Sequence, residues 1–185
     1  MPTTLRRILF APRHLHRLAD FDCGGEVWQR EMTDWIKGGP DGVLEHQAQG
    51  GEVWLYATDA REVVGFGALG VSNWRWPTNK DRPRRVSIIT ALGVDRRYHG
   101  QPPGPPEQRY ASQILRDLIH EASQHREREP LLGLFVHPEN GRAIRFYERA
   151  GFAPFFRTYT DPESGVTYQS MLLRLPIDES PQAKV

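Results

Sequence analysis

Residues 140–152 read Asn-Gly-Arg-Ala-Ile-Arg-Phe-Tyr-Glu-Arg-Ala-Gly-Phe, and this stretch decides how the fold is interpreted. Asn140 is a residue type that caps helix N-termini, and Gly151 is the type that ends helices. Between them, apolar residues recur at helical spacing: Ala143, Ile144, Phe146, Tyr147 and Ala150. The stretch therefore predicts a short helix of about three turns between Asn140 and Gly151.

The segments before this helix carry alternating strand and helix signals. Leu131–Val136 is a short apolar run that predicts a strand, and Glu107–Ser123 has an apolar stripe that predicts a long helix. Arg85–Asp95 predicts a central strand, because its two faces are both nearly free of charge. Strict alternation would place Val86, Ile88, Thr90, Leu92 and Val94 on one face and Ser87, Ile89, Ala91 and Gly93 on the other.

The rest of the chain predicts further strands around one more helix. The expected strands are Arg7–Phe10, Val53–Ala57, Val63–Val71, Phe152–Tyr159 and Val166–Leu175, and a helix is expected from Glu26. No internal repeat is present. We therefore expect a single α+β domain over residues 1–175, followed by a loose tail over residues 176–185.

Composition excludes several classes of protein. The chain has 185 residues, 38% hydrophobic and 25% charged, with a formal charge of +1, which is a globular balance rather than a disordered one. No apolar run approaches the roughly 18 residues of a membrane span, and the first residues lack a signal-peptide pattern, so a cytoplasmic protein is expected. Cys23 is the single cysteine, which excludes an intramolecular disulfide and a Cys-rich metal site.

One local cluster of positive charge stands out from this balance. Its members are Arg75, Lys80, Arg82, Arg84 and Arg85, interleaved with Trp74 and Trp76. Such a mixture can hold an anion and stack on a base, or it can be the solvated tip of a hairpin. The near-neutral total charge argues against nucleic acid as a general partner.

The segments 91–101, 110–115 and 140–152 together resemble the GNAT acyl-CoA-dependent N-acetyltransferases. The family typically reads N-x-x-A-x-x-F-Y-x-x-x-G-F in the last segment, and every fixed position is matched from Asn140 to Phe152. The resemblance implies a three-layer α/β/α domain of the α+β class. It also implies a mixed, mostly antiparallel sheet of about six or seven strands with a splayed central pair, and about four helices.

The resemblance implies acetyl-CoA as co-substrate, with no metal. A glycine in mid-strand, Gly93, suits a bulge or splay that would free the amides of Leu92 and Val94 for pantetheine and the thioester carbonyl. The start of the long helix would bind the pyrophosphate through unpaired N–H groups and dipole character. The residues expected there are Gln108, Arg109, Tyr110, Ala111 and Ser112.

The phosphate loop departs from the family pattern Q/R-x-x-G-x-G/A. Aligned from the strand, His99–Gly104 keeps only the final Gly and needs about seven inserted residues before the helix; aligned from the helix, Pro106–Ala111 keeps only the final small residue. The helix alignment is preferred because helix register is harder to change than loop length, and the Pro-rich run 101–106 then becomes a detour. A loop that has lost coenzyme A binding is the third reading.

Two side chains of the 140–152 stretch have alternative roles. Tyr147 is either a core aromatic or, as the resemblance implies, the proton donor to the departing thiolate of coenzyme A. Asn140 either caps its helix only or also touches the pantetheine arm. No spacing singles out a general base among the histidines, which include His99, or among Glu26, Glu31, Glu45 and Glu52.

The function implied is transfer of acetyl from acetyl-CoA to a primary amine by direct attack in a ternary complex. The acceptor would be a small-molecule or peptide amine, and a homodimer is left open. One alternative is a non-catalytic acyl-CoA-binding regulatory module. Another is a GNAT toxin that acetylates aminoacyl-tRNA, since Phe21–Gly24 and Val94–Tyr98 look somewhat like such toxins, although the near-neutral charge counts against it.

Overall fold

The computed structural model describes residues 5–58, 62–76, 79–125, 127–162 and 165–176. Its strands are β1 (Arg6–Leu9), β2 (Glu52–Ala57), β3 (Val63–Trp76), β4 (Asn79–Val94), β5 (Leu131–Val136), β6 (Ala153–Thr160) and β7 (Thr167–Arg174). Its α-helices are α1 (Val27–Ile36), α2 (Val43–Ala48), α3 (Tyr110–Gln124) and α4 (Gly141–Arg149). Short 3-10 segments occur at Pro12–Leu18, Arg96–Tyr98 and Pro106–Gln108.

All seven strands form one sheet in the order β1-β2-β3-β4-β5-β7-β6. Every neighbouring pair is antiparallel except β4 and β5, which run parallel. The mixed, mostly antiparallel sheet is therefore confirmed.

The parallel pair in the middle of the sheet separates soon after it forms. Only Ser87–Ile89 of β4 pair with Leu132–Leu134 of β5. From Ala91 to Val94, β4 keeps its antiparallel partner β3 but has no pairing with β5 among the described residues. This is the splayed central pair that the sequence led us to expect.

The bulge that accompanies the splay lies at Thr90 rather than at Gly93. Ala68 pairs with Ala91 and Leu69 with Ile89, so Thr90 is the extra residue on β4. The bulge corrects the strict alternation expected for this strand. Ile89, Leu92 and Val94 pack into one core, while Ala91 packs into the other, and the Thr90 hydroxyl lies 3.3 Å from Nε2 of His46 on α2.

Gly93 is needed for close packing. It pairs in regular register with Phe66, and a Cβ built at this position would lie 2.4 Å from Cε1 of Phe66 and 2.9 Å from Sγ of Cys23. Real Cβ atoms do not approach other atoms so closely, so any larger residue would push the ring or the strand aside.

Two apolar cores lie on the two faces of the sheet. Helices α3 and α4 cover one face, and residues such as Ile114, Leu118 and Phe152 are buried beneath them. The segment Pro12–Leu18 with α1 and α2 covers the other face. The three-layer α/β/α arrangement of the α+β class is therefore confirmed.

Element boundaries differ from the sequence expectations at several places. Helix α3 begins at Tyr110 instead of Glu107, because Pro106–Gln108 forms a 3-10 turn before it. Strands β3 and β4 extend into a longer hairpin than the apolar runs indicated, and the short helix α2 was not predicted. The expected tail, apart from Pro176, lies outside the described residues. No helix within the described ranges is long and apolar enough to cross a membrane.

Candidate functional site

A cleft of about 1040 Å³ opens where β4 and β5 separate. Its lining comes from β4 and β5, from α1 on one face of the sheet, and from α3 and α4 on the other. The cleft therefore passes through the opening in the sheet from one face to the other.

The β4 edge of the cleft presents backbone groups that point away from β3. The amide of Asp95 donates to the carbonyl of Val64 at 2.8 Å, so Asp95 and Val64 form a hydrogen-bonded pair between β4 and β3. Gly93 and Phe66, two residues further along the ladder, form the next such pair. Because backbone groups alternate in direction along an antiparallel strand, Leu92 and Val94 direct their N–H and C=O groups away from β3 and toward β5. Leu92, Gly93 and Val94 all line the cleft, and Nε2 of His99 lies 3.0 Å from the Val94 carbonyl oxygen.

The start of α3 reaches the cleft, but with fewer free amides than expected. The amides of Gln108, Arg109 and Tyr110 already donate to the carbonyls of Pro105, Pro106 and Gln101. Ala111 and Ser112 are the next residues of the first turn, where helix N–H groups lack helical acceptors, and both line the cleft. Gln108 and Tyr110 are not among its lining residues; Tyr110 is buried, with its ring 6.0 Å from that of Tyr98.

Both alignments of the phosphate loop contribute to the same place. The Tyr110 amide donates to the Gln101 carbonyl at 2.8 Å, which brings the two ends of the Pro-rich segment together. His99–Gln101 and Pro106–Glu107 line the cleft, whereas residues 102–105 do not. Residues 102–105 thus form a detour outside the cleft, and the ends of the loop meet at its rim.

Four arginines line the cleft on the side of α3 and α4. Arg109 is the N-cap of α3 and Arg116 lies within α3. Arg142 and Arg149 lie in α4. We call them the arginine end. The sequence analysis missed three of them, although each pair is spaced by seven residues, which places both members on the same face of a helix.

Arg97 has a different role. Its guanidinium bonds both carboxylate oxygens of Asp95 at 2.9 Å, and that carboxylate also accepts the amides of Arg97 and Asp22. Burial alone would raise the pKa of Asp95, but these hydrogen bonds outweigh it and hold the pKa below its usual value. Arg97 therefore bonds Asp95, whose carboxylate joins the loop at Asp22 to the end of β4, and it does not line the cleft.

Tyr147 and Asn140 both line the cleft. The Tyr147 ring packs between Phe146 and Phe152 at 5.2 and 5.6 Å, and its hydroxyl makes no hydrogen bond with any residue that the structure describes. Burial raises the pKa of Tyr147 to about 12, so the phenol is protonated at neutral pH. Oδ1 of Asn140 accepts the amide of Ala143 at 3.0 Å, so its capping role is present in the structure.

The α1 side of the cleft is acidic and aromatic. Glu26 and Glu31 line it, and we call them the glutamate end. Beside them the rings of Trp28, His137 and Tyr168 form what we call the aromatic wall. None of the three rings had been singled out from sequence, because they come from three elements that are distant along the chain.

The residues considered as bases divide between the cleft and its surroundings. His99, Glu26 and Glu31 line the cleft, whereas Glu45 and Glu52 do not. Cys23 also lines it, but burial raises the pKa of its thiol to about 12. Since the thiolate is the reactive form, Cys23 is an inert thiol at neutral pH.

Two further clusters lie outside the cleft. Glu52, Glu121 and His125 bring potential ligand atoms within 4.8 Å of one another, but Arg7 already bonds Glu121 at 2.7 Å, so this cluster is an ion-pair network in the structure. In the basic cluster of the β3–β4 hairpin, Trp74 is fully buried and stacked on Phe155 at 5.3 Å, so it cannot stack on a base, which was one of the two readings of this cluster. The side chains of Arg75, Trp76 and Lys80 lie outside the described part of the chain.

Comparison with known proteins agrees with this architecture. A model of the acetyltransferase (GNAT) family matches residues 13–152. No curated protein matches the sequence.

Similar solved structures cover nearly the whole chain. A tyrosine-to-phenylalanine mutant of the toxin AtaT, bound to the C-terminus of the antitoxin AtaR and acetyl-CoA, is 16% identical, with 91% of this chain and 92% of that chain covered at a TM-score of 0.60. A GNAT acetyltransferase from Staphylococcus aureus MU50 is 19% identical, with 94% and 100% covered at a TM-score of 0.60. AtaT complexed with acetyl-methionyl-tRNAfMet is 19% identical, with 90% and 94% covered at a TM-score of 0.58.

At these identities the structural likeness concerns the fold, and the family match supplies the assignment. The matched residues contain the splayed β4–β5 pair, the start of α3 and the whole of α4. The chain therefore belongs to the GNAT acetyltransferase family.

Proposed function

We propose that the protein transfers an acetyl group from acetyl-CoA to a primary amine by direct attack in a ternary complex. The observation that carries this proposal is the cleft through the sheet, with the arginine end on the face of α3 and α4 and the glutamate end on the face of α1. An anionic donor and a cationic acceptor would enter from opposite faces and be bound at the same time.

The donor side has groups suited to each part of acetyl-CoA. The backbone of Leu92 and Val94 would hold the extended pantetheine arm, as an added strand would be held. The amides of Ala111 and Ser112 would bind the pyrophosphate, with Arg109 supplying a charge-assisted bond. Asn140 would border the arm from the start of α4.

The proposed reaction moves electrons from the acceptor nitrogen to the thioester. The nitrogen lone pair forms a bond to the acetyl carbon, the carbon–sulfur bond breaks, and the thiolate of coenzyme A leaves. Because a thiol has an ordinary pKa of about 8.5 and the Tyr147 phenol one of about 12, the phenol stabilises the thiolate by donating a hydrogen bond rather than by complete proton transfer. The bound ammonium must lose one proton before its nitrogen can attack, and the nitrogen loses a second proton as the amide forms. Glu26 and Glu31 line the cleft on that side and would pass these protons to solvent.

Initial-rate kinetics of thiol release test this proposal. When the concentrations of acetyl-CoA and of an amine that the protein acetylates are both varied, the double-reciprocal plots should give intersecting lines. Cys23→Ala should keep the activity. Parallel lines, or loss of activity in Cys23→Ala with acetyl-CoA still bound, would indicate an acyl-cysteine intermediate instead. Tight binding of acetyl-CoA without turnover of any amine would favour the non-catalytic regulatory module.

Aminoacyl-tRNA is a second candidate acceptor. It is favoured by the likeness in fold to AtaT complexed with acetyl-methionyl-tRNAfMet, which extends over 90% of this chain. Two features weigh against it. The carboxylates of the glutamate end would repel the phosphates of a tRNA, and bases cannot stack on Trp74 because it is buried. Acetylation of methionyl-tRNA that is faster than acetylation of methionine methyl ester would favour this candidate.

A further inference from the structure

We infer that the acceptor is a primary amine that carries an aromatic ring, with the ring held by the aromatic wall and the ammonium by Glu31. This inference rests on the proposed function and adds the class of acceptor to it.

The aromatic wall is built from three separate elements. Trp28 comes from α1, His137 follows β5, and Tyr168 lies on β7. Ring centroids are 5.1 Å apart for Trp28 and His137 and 5.7 Å for His137 and Tyr168, within the range of favourable aromatic pairs. All three side chains are only partly buried and line the cleft, so part of their ring surface remains open to a ligand ring.

The orientation of His137 is fixed by its neighbours. Its Nδ1 accepts the amide of Glu139 at 3.2 Å, so in the neutral ring the proton is carried by Nε2. This bond fixes the plane of the ring, which is held beside Trp28 and Tyr168. His137 therefore contributes its ring to the wall.

The carboxylate of Glu31 is hydrogen-bonded to the aromatic wall. The Tyr168 hydroxyl donates to Oε2 of Glu31 at 3.3 Å, which places one negative charge beside the rings. Glu26 lines the same side, while all the arginines that line the cleft belong to the arginine end. A ligand that presents an ammonium to Glu31 and a ring to the wall matches both features at once.

The test compares amines of equal charge. We expect kcat/KM for 2-phenylethylamine to exceed that for propylamine at least tenfold, and spermidine to be poorer than 2-phenylethylamine. Trp28→Ala should remove this preference by lowering kcat/KM for 2-phenylethylamine alone, and Trp28→Phe should keep it.

Glu31→Gln should raise KM for both monoamines at least tenfold while leaving the dissociation constant of acetyl-CoA unchanged. Glu45→Gln is the matched control, because it makes the same charge change at an exposed position of α2 that does not line the cleft. The unchanged acetyl-CoA affinity also shows that each variant is folded.

Several results would overturn the inference. Equal kcat/KM for 2-phenylethylamine and propylamine, a higher value for spermidine, or an unchanged preference in Trp28→Ala would do so while leaving the proposed function intact. Acetyl-CoA binding without turnover of any of these amines or of aminoacyl-tRNA would instead contradict the proposed function, and the inference with it.

Discussion

Tyr147 lies where the core beneath α4 meets the cleft. Its ring packs against Phe146 and Phe152, while its hydroxyl has no partner among the described residues. The ring thus belongs to the core, and under the proposed function the hydroxyl would contact the ligand, so that the two roles considered from sequence would belong to different atoms of one side chain.

Tyr147→Phe separates these roles. We expect the melting temperature and acetyl-CoA affinity to change little, because the ring is kept. The value of kcat with a true acceptor should fall on the order of 10²-fold, the lower end of the range for general acid catalysis, because the hydroxyl only donates a hydrogen bond to a thiolate that leaves readily. A decrease in kcat of less than about threefold would show that Tyr147 has only a structural role.

The pH dependence of kcat gives a second prediction for this residue. Since burial raises the pKa of Tyr147 to about 12, the phenol keeps its proton through the alkaline range in which enzymes are normally assayed. We therefore expect Tyr147→Phe to lower kcat by the same factor at pH 7 and at pH 10. An alkaline decrease of kcat in the wild type that is missing in the variant would contradict the raised pKa.

Arg109 and Arg97 give a matched pair of variants. Arg109 lines the cleft, whereas Arg97 is bonded to Asp95. Arg109→Ala should weaken coenzyme A binding by about 1.5–3 kcal/mol, measured by calorimetry, and Arg97→Ala should have a much smaller effect. If Arg97→Ala instead lost coenzyme A affinity while Arg109→Ala kept it, the pyrophosphate of coenzyme A would lie nearer the end of β4 than the start of α3.

At the scale of a single element, the packing of β4 against Phe66 and Cys23 depends on the absence of a side chain at Gly93. Gly93→Ala should lower the free energy of unfolding by about 1–3 kcal/mol, because its Cβ would overlap Phe66 and Cys23. Gly25→Ala is the control, since a Cβ there meets nothing within 4 Å. Equal stability of the two variants in urea unfolding would show that the strand adapts freely.

Asp95 joins the end of β4 to the segment before α1. Asp95→Ala should cost about 2–3 kcal/mol because it leaves the amides of Asp22 and Arg97 without their acceptor, whereas Arg97→Ala keeps those bonds and should cost about 1 kcal/mol or less. The lowered pKa means that ionised Asp95 stabilises the fold above its ordinary pKa of 3.8, and that this contribution is lost as pH falls through the folded-state value. Urea unfolding should therefore show a smaller loss of stability below pH 4 in Asp95→Ala than in the wild type, and parallel losses would contradict the assignment.

Periodicity predicted the elements whose apolar residues face one core. α3 and α4 were identified because their stripes pack on the sheet, and the β2–β3 and β6–β7 hairpins because turn residues separate apolar runs. α2 was missed because it has only six residues, of which Val43 alone is buried. The bulge at Thr90 was missed because no residue type is required there, while Gly93 nearby is explained by packing.

The candidate site was predictable only where the chain itself brings residues together. The β4 edge, the start of α3 and the Asn140–Phe152 stretch are continuous segments, and their family pattern identified them. The aromatic wall joins residues more than a hundred positions apart, so neither spacing nor composition indicates it. Hydrogen bonds within the loop, which occupy the amides of Gln108 and Tyr110, were also not visible in the sequence.

At the scale of the whole molecule, the three layers determine how two substrates could meet. The sheet separates the arginine end from the glutamate end, and the opening between β4 and β5 joins them. Under the proposed function, this arrangement would let charge select each substrate on its own face while the reacting atoms meet in the opening.

Binding of acetyl-CoA in this cleft is the central claim, and thermal unfolding with increasing acetyl-CoA tests it most directly. At a ligand concentration a hundredfold above the dissociation constant, the native state should gain about 2.7 kcal/mol, and the melting temperature should rise accordingly. Arg109→Ala should need more ligand for the same rise. An unchanged melting temperature of the wild type at millimolar acetyl-CoA would contradict the account.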